Sequence, residues 1–214
     1  ENKALEYFEK AEAANIASRA PRNNLAAALR DKYTGSADAK VFSDAEKLLQ
    51  KVLAVDSGNQ LAYENLARLY YDRGRLKDQS YLVLSNLVVT QALRVLEKEG
   101  QQSADIWNLK GLLFMQEDNQ IDALKAFKKA VEVDAKHADA NRNIGFIAIR
   151  FRDYKSAEAA FDTALKSDAV KRDIEVFIAM GVAKRGLKKF KEAEEWYRKA
   201  MEVDKKDPRP WYNL

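Results

Sequence analysis

Residues 104–137 read ADIWNLKGLLFMQEDNQIDALKAFKKAVEVDAKH, and their spacing decides the fold. Ala123, Phe127 and Ala130 form a small–aromatic–small pattern at intervals of four and three. The same pattern returns as Ala157–Phe161–Ala164 and as Ala193–Tyr197–Ala200, in steps of 34 and 36 residues. A second mark precedes each copy, a large residue followed four positions later by glycine. It reads Trp107–Gly111, Asn141–Gly145 and Phe177–Gly181, with the same steps. Each copy also closes alike, at Val133-Asp134, Ser167-Asp168 and Val203-Asp204. Independent marks that keep one period define a repeat.

The period has a physical meaning. Spacings of three and four place the marked residues on one helical stripe. About 34 residues hold two helices of ~13 residues and two short turns. The small residues suit points where two backbones approach closely, and Trp107, Phe114 and Phe127 fill the space between. One helix pair cannot bury its stripe alone, so the pairs must stack.

The pattern resembles the tetratricopeptide repeat, W-x2-L-G-x2-Y followed by A-x3-F, A and P. The copy at 104–137 departs from it at Lys110, with Leu109 one place early, and at Ala135, where proline is usual. The copies at 138–171 and 174–207 match almost as well. The stretch 60–103 is weaker. Tyr63, Leu66, Ala67 and Tyr70 read as a first helix with Gly74 in the turn, but Gln79 and Val83 stand where Ala and an aromatic are expected. Ten extra residues there are expected to lengthen the second helix, from about Leu76 to Glu97. Its apolar residues circle the helix, so it is expected to be buried on most sides.

Residues 1–59 read as degenerate repeats. Asn23–Lys32 is expected to be a first helix, Tyr33–Lys40 a loop, and Ala45, Leu49 and Val52 a second helix ending at Val55-Asp56. Ala4, Phe8 and Ala11 repeat the small–aromatic–small mark, and Trp211-Tyr212-Asn213-Leu214 matches another repeat opening. The expected fold is therefore all-α, an α-α superhelix of five to six repeats. Residues 1–214 are expected to form one solenoid domain from a longer array. A fainter likeness, in 80–97 and in Asn143–Tyr154, is to tetratricopeptide proteins of bacterial gliding-motility envelope machinery.

Composition agrees and excludes other classes. The 214 residues include no cysteine, eight glycines and three prolines, and the net charge is +4. Alanine-rich, glycine-poor chains favour helix. Thiolate zinc sites and disulfide scaffolds both need cysteine. No apolar run reaches the ~18 residues of a membrane span. The lack of cysteine fits an oxidising compartment, and a bacterial periplasm or envelope is favoured over cytoplasm.

No enzyme activity, cofactor or metal is expected. His137, flanked by Asp134 and Asp139, is the one histidine and has no second imidazole or thiol to complete a site. Glycine-rich phosphate loops are absent. Lys184, Arg185, Lys188, Lys189 and Lys191 form the densest basic cluster. It reads as a solvated turn rather than a phosphate-binding stripe, and nucleic acid is kept as a rival partner.

The resemblance implies a protein or peptide partner, held in a concave groove lined by first helices. The groove positions carried over are Asp105, Asn108, Leu109, Leu112, Met115 and Gln116, then Asp139, Arg142, Asn143, Phe146, Ile149 and Arg150, then Glu175, Ile178, Ala179, Val182, Arg185 and Gly186. In the weaker copy they are Glu64, Asn65, Arg68, Tyr71 and Asp72. The clamp for a C-terminal carboxylate that the family sometimes carries is incomplete, since Phe146 stands where it needs asparagine and Glu175 opposes a later cation. What remains is an apolar strip rimmed by arginines, suited to an amphipathic helix or bulky extended peptide. The rival contact surface within the chain is the apolar 76–97 helix.

Overall fold

A computed structural model of the chain describes residue 10 and residues 19–213. Ala4, Phe8 and Ala11 lie outside the described residues. The described chain holds helices α1 (Arg19–Ser36), α2 (Ala39–Val55), α3 (Gln60–Leu76), α4 (Ser80–Lys98), α5 (Ala104–Gln116), α6 (Gln120–Val133), α7 (Ala138–Arg150), α8 (Tyr154–Ala164), α9 (Ile174–Gly186), α10 (Phe190–Val203) and α11 (Arg209–Asn213), and no strand. The fold is the expected all-α solenoid, with helix pairs amounting to five to six repeats. By contact density the chain divides into two compact units, residues 1–113 and 114–214.

Short polar residues start most helices by accepting from the free N–H groups of the first turn. Asp38 caps Lys40 and Val41, Asn59 caps Ala62, Asn119 caps Asp122, Asp153 caps Ser156, and Asp173 caps Glu175 and Val176. His137 does the same work for α7, its Nδ1 accepting from Ala140 N–H at 3.1 Å. The histidine is thus a helix cap.

The turns inside the repeats use left-handed residues. Ala37, Asp118, Arg152 and Lys188 have φ between 52° and 61°, and each follows a first helix. In the last three, the next N–H reaches back to the sixth residue, as in Asp153 N–H to Ala148 O at 2.9 Å and Lys189 N–H to Lys184 O at 2.9 Å. This bond satisfies carbonyls that the helix end leaves open.

In the first unit, α1 pairs with α2 and α3 with α4. One cluster joins Leu29, Tyr33, Phe42, Leu49, Val52 and Leu69. A second joins Tyr63, Ala67, Val89, Ile106 and Leu109. Tyr33, expected in a loop, is fully buried inside α1. The loop shrinks to Ala37-Asp38, because the Ala37 backbone turns left-handed and its N–H bonds Tyr33 O.

The 60–103 repeat differs from its sequence reading in register. Gly74 sits within α3, not in the turn, and a Cβ there would fall 2.7 Å from the Leu82 side chain. Leu76 ends α3, Lys77–Gln79 make the turn, and α4 begins at Ser80. The small–large–small stripe is Ser85, Val89 and Ala92, all fully buried. The added residues are therefore shared between α3 (17 residues) and α4 (19 residues), where α5 has 13 and α6 has 14. Nor is α4 buried on most sides: Val83 is 63% and Leu87 61% exposed.

In the second unit, α7 pairs with α8 and α9 with α10, and α9 packs on both α8 and α7. Ala157, Phe161 and Ala164 are fully buried beside Met180 and Ala183. Ala123, Phe127 and Ala130 are fully buried as well, and so nearly are Ala193, Tyr197 and Ala200. The small–aromatic–small marks read from sequence are the core.

Candidate protein-binding surface

First helices lie beside first helices, and side chains about one repeat apart tie them. In the first unit, Arg30 donates to Asn65 Oδ1 at 2.7 Å and Ser103 Oγ donates to Glu64 at 2.6 Å. In the second, Arg142 Nε donates to Asp173 Oδ2 at 2.7 Å, and Arg209 reaches Glu175 Oε1 at 2.7 Å. Asp173 thereby holds Arg142 with one oxygen while its other caps α9.

The second unit carries the apolar strip. Phe146, Ile149, Ile178 and Val182 are each half-buried on α7 and α9. Phe146 stacks edge-on against Phe161, with centroids 5.3 Å apart, and the Arg142 guanidinium lies 4.9 Å above its ring. Phe146 and Ile149 rest on the buried cluster and show their outer edges to solvent. Asn143 is half-buried, and Arg150 and Arg185 are exposed. With the Gln120 amide turned to present its oxygen, Arg150 donates to it at 2.7 Å. Met115 is half-buried.

Asn108 and Leu112 belong to the first unit. Leu112 is half-buried against the Tyr63–Val89 cluster, and Asn108 is only 3% exposed. The structure therefore groups Arg142, Asn143, Phe146, Ile149, Arg150, Ile178 and Arg185 on two adjacent helices of one unit, and leaves Asn108 inside.

The first unit offers a polar face instead. Arg68 bonds Asp72 at 3.1 Å, and Arg68 and Arg75 each lie 5.8 Å from the Tyr71 ring. Burial pushes the Asp72 carboxyl above its ordinary range, although Arg68 pulls the other way.

Two of the five cations of the basic cluster at the α9–α10 turn are paired with carboxylates. Lys184 is buried and donates to Glu158 and Glu192, each at 2.5 Å, and Lys189 reaches Glu158 at 2.9 Å. Hydrogen bonds from Lys184 and Lys189 hold Glu158 below the usual carboxylate range. Burial pulls the Lys184 ammonium down, but Glu158 and Glu192 more than offset it and leave it raised. Sequence reasoning missed Glu158 and Asp173, and it placed Glu175 in the groove without its tie to Arg209. The signal was present, since Glu175 and Arg209 stand 34 residues apart and Arg142 and Asp173 31. Among the described residues no group of three or more His, Asp or Glu could hold a metal ion, and no helix is long and apolar enough to cross a membrane.

Known proteins share this fold. Solved structures with the same fold include YrrB, described as a TPR protein with an unusual peptide-binding site, at 20% identity, 98% of each chain and a TM-score of 0.59. MamA matches at 20% identity over 90% of this chain and 96% of its own, with a TM-score of 0.57. TTC0263, a thermophilic TPR protein of Thermus thermophilus, matches at 17% identity over 84% of this chain and 88% of its own, with a TM-score of 0.64. No curated protein matches the sequence. Family models for the tetratricopeptide repeat match residues 37–79 and 121–172, and residues 104–137 and 174–207. With most of its length so matched, and with its repeat marks forming the buried contacts between paired helices, the chain belongs to the tetratricopeptide repeat family.

Proposed function

We propose that this chain is a protein–protein interaction scaffold whose α7–α9 face takes a peptide or an amphipathic segment of a partner, as one component of a multiprotein assembly. One observation carries the reading. Phe146, Ile149, Ile178 and Val182 stay half-open on neighbouring helices while arginines rim them. An apolar strip with a cationic rim suits a segment with bulky apolar side chains and flanking acidic residues. The family and its fold support it, and YrrB is described as having a peptide-binding site. The repeats are proposed to form one array of which residues 1–214 are a part. A bacterial envelope setting is proposed on the gliding-motility likeness alone.

Ile178→Asp and Arg150→Glu test the surface without touching the Arg142–Asp173 tie. Each should cut capture of the native partner at least tenfold while the melting temperature holds. Unchanged capture by both variants refutes the α7–α9 site. Arg142→Glu is a poorer test, because it sets a carboxylate against Asp173.

A second reading rests on the exposed Val83 and Leu87: partner contact through α4. Nucleic acid is not favoured, since Lys184 and Lys189 are paired to Glu158.

A further inference from the structure

Residues 79–93 carry no charge, the longest such stretch in a sequence that is 33% charged. They make up most of α4, and that helix has an open side. Val83, Leu84 and Leu87 are exposed there, followed by Thr90, Gln91 and Arg94. These positions recur at intervals of three and four, so they share one stripe. The open side of α6 shows what a water-facing second helix carries: Lys125, Lys128, Lys129 and Glu132. Helix α4 is also longer than these counterparts, at 19 residues against 14 in α6, 11 in α8 and 14 in α10. A face without charge can be covered without desolvating ions, and interface cores are depleted of charge for that reason.

The ends of the stripe say what covers it, because they carry opposite charges. Arg94 is exposed at one end. At the other, the exposed Asp78 accepts from Ser80 N–H at 3.0 Å, which holds its carboxylate beside the first turn of α4. Let a second α4 lie antiparallel on the first with Leu87 facing Leu87. Val83 then comes opposite Gln91, Leu84 opposite Thr90, and Arg94 opposite Ser80, where Asp78 lies. Two ion pairs form together, one at each end. A parallel pair instead sets Arg94 against Arg94 and Asp78 against Asp78. The stripe is complementary to its own inverted copy, which is what a two-fold interface requires.

We propose that α4 docks on the α4 of a second copy of this chain, antiparallel about Leu87, to form a two-fold dimer. The proposal rests on the reading of α4 as a contact surface and names its occupant. It does not use the α7–α9 strip. One helix per chain is a small interface, so the dimer is expected to be reversible and concentration-dependent.

The 214-residue chain has no cysteine, so one introduced thiol reports on one position. Mild oxidation should convert Leu87→Cys to a covalent dimer, since the two-fold brings that position against itself. A Val83→Cys/Gln91→Cys double variant should cross-link at least tenfold faster than either single variant. Leu61→Cys, at a comparably open site on α3, should not cross-link. In sedimentation equilibrium, Arg94→Glu and Asp78→Lys should each weaken the dimer at least tenfold. An equimolar mixture of those two variants should restore it, because both end pairs are then of opposite sign. Leu87→Cys cross-linking no faster than Leu61→Cys overturns the proposal. Cross-linking at Leu87 without the 83–91 pair, or without charge rescue in the mixture, overturns the antiparallel register. A chain that stays monomeric while Leu87→Asp loses the native partner refutes the second copy and leaves α4 as a surface for a different protein. Capture through Ile178 and Arg150 is read separately, so the α7–α9 reading stands or falls apart from the dimer.

Discussion

Gly145 lies against the ring of Phe161, so close that a Cβ on Gly145 would overlap the ring's Cε1. Gly181 and Tyr197 repeat the contact. The glycine of the first helix and the aromatic of the second are therefore two halves of one contact. What passes close to the glycine is a ring, not a facing backbone. Gly145→Ala should destabilise the second unit by about 1–3 kcal/mol through overpacking, despite the better helix propensity of alanine. Thermal melts check it. In a Phe161→Leu background the alanine should cost less, with a coupling of at least ~0.5 kcal/mol in the double-mutant cycle.

This contact shows how much of the fold was legible. Where the glycine and aromatic both survive, at 138–171 and 174–207, periodicity gave helices and core residues together. In 60–103 the stripe is Ser85-Val89-Ala92, with serine in place of the first alanine and valine in place of the aromatic. Aligning to the family pattern put it six residues early, at Gln79 and Val83. Tyr33 was misplaced for a related reason. Gly35 and Ser36 look like a loop, but the burial of Tyr33 outweighs their local preference, and α1 runs through them. The site was legible only in part. Groove positions follow from helical register, but the ties that occupy Arg142 and Lys184 depend on partners 31 and 26 residues away.

The left-handed turns give a second prediction. Arg152 and Lys188 hold φ near 60°, a conformation that costs a side-chain-bearing residue about 1–2 kcal/mol and glycine almost nothing. Both are exposed. Arg152→Gly and Lys188→Gly should therefore each raise stability by up to ~1 kcal/mol, after the greater freedom of glycine in the unfolded chain is subtracted. Denaturant titration measures it, and a loss of stability in both would contradict the turn geometry.

The Lys184 cluster predicts a pH window. Glu158 is depressed in the folded state, so its contribution is present above the unfolded value of about 4.3 and lost as pH falls through the folded one. Lys184 is raised, so its contribution is full below about 10.4 and lost as pH rises through the folded value. Lys184→Met should remove a charge-assisted hydrogen-bond set, costing about 1.5–3 kcal/mol at pH 7. The gap between variant and parent should narrow at both acid and alkaline extremes.

Asp72 has the opposite sign. Its folded carboxyl is raised, so the penalty is complete above the folded value and absent below the unfolded value of about 3.9. Asp72→Asn should thus match or exceed the parent's stability at pH 7, and the difference should shrink towards pH 3. A clear loss at pH 7 would mean that the Arg68 bond outweighs the burial of the charge.

Helix α4 separates core from contact surface along its own length. Val89 and Ala92 are fully buried, while Val83 and Leu87, about one turn apart, stand on the open side. Leu84, at the border, is 39% exposed. Val89→Asp buries an unpaired charge and should unfold the first unit. Val83→Asp and Leu87→Asp leave the packed face intact and should shift stability by no more than ~0.5 kcal/mol. Leu84→Arg should also fold, since its aliphatic stem can lie along the border with the guanidinium in water. Pulling down the native partner with these three folded variants then decides between surfaces. Loss of the partner with Val83→Asp and Leu87→Asp, but not with Ile178→Asp, assigns the contact to α4; the reverse pattern assigns it to the α7–α9 strip.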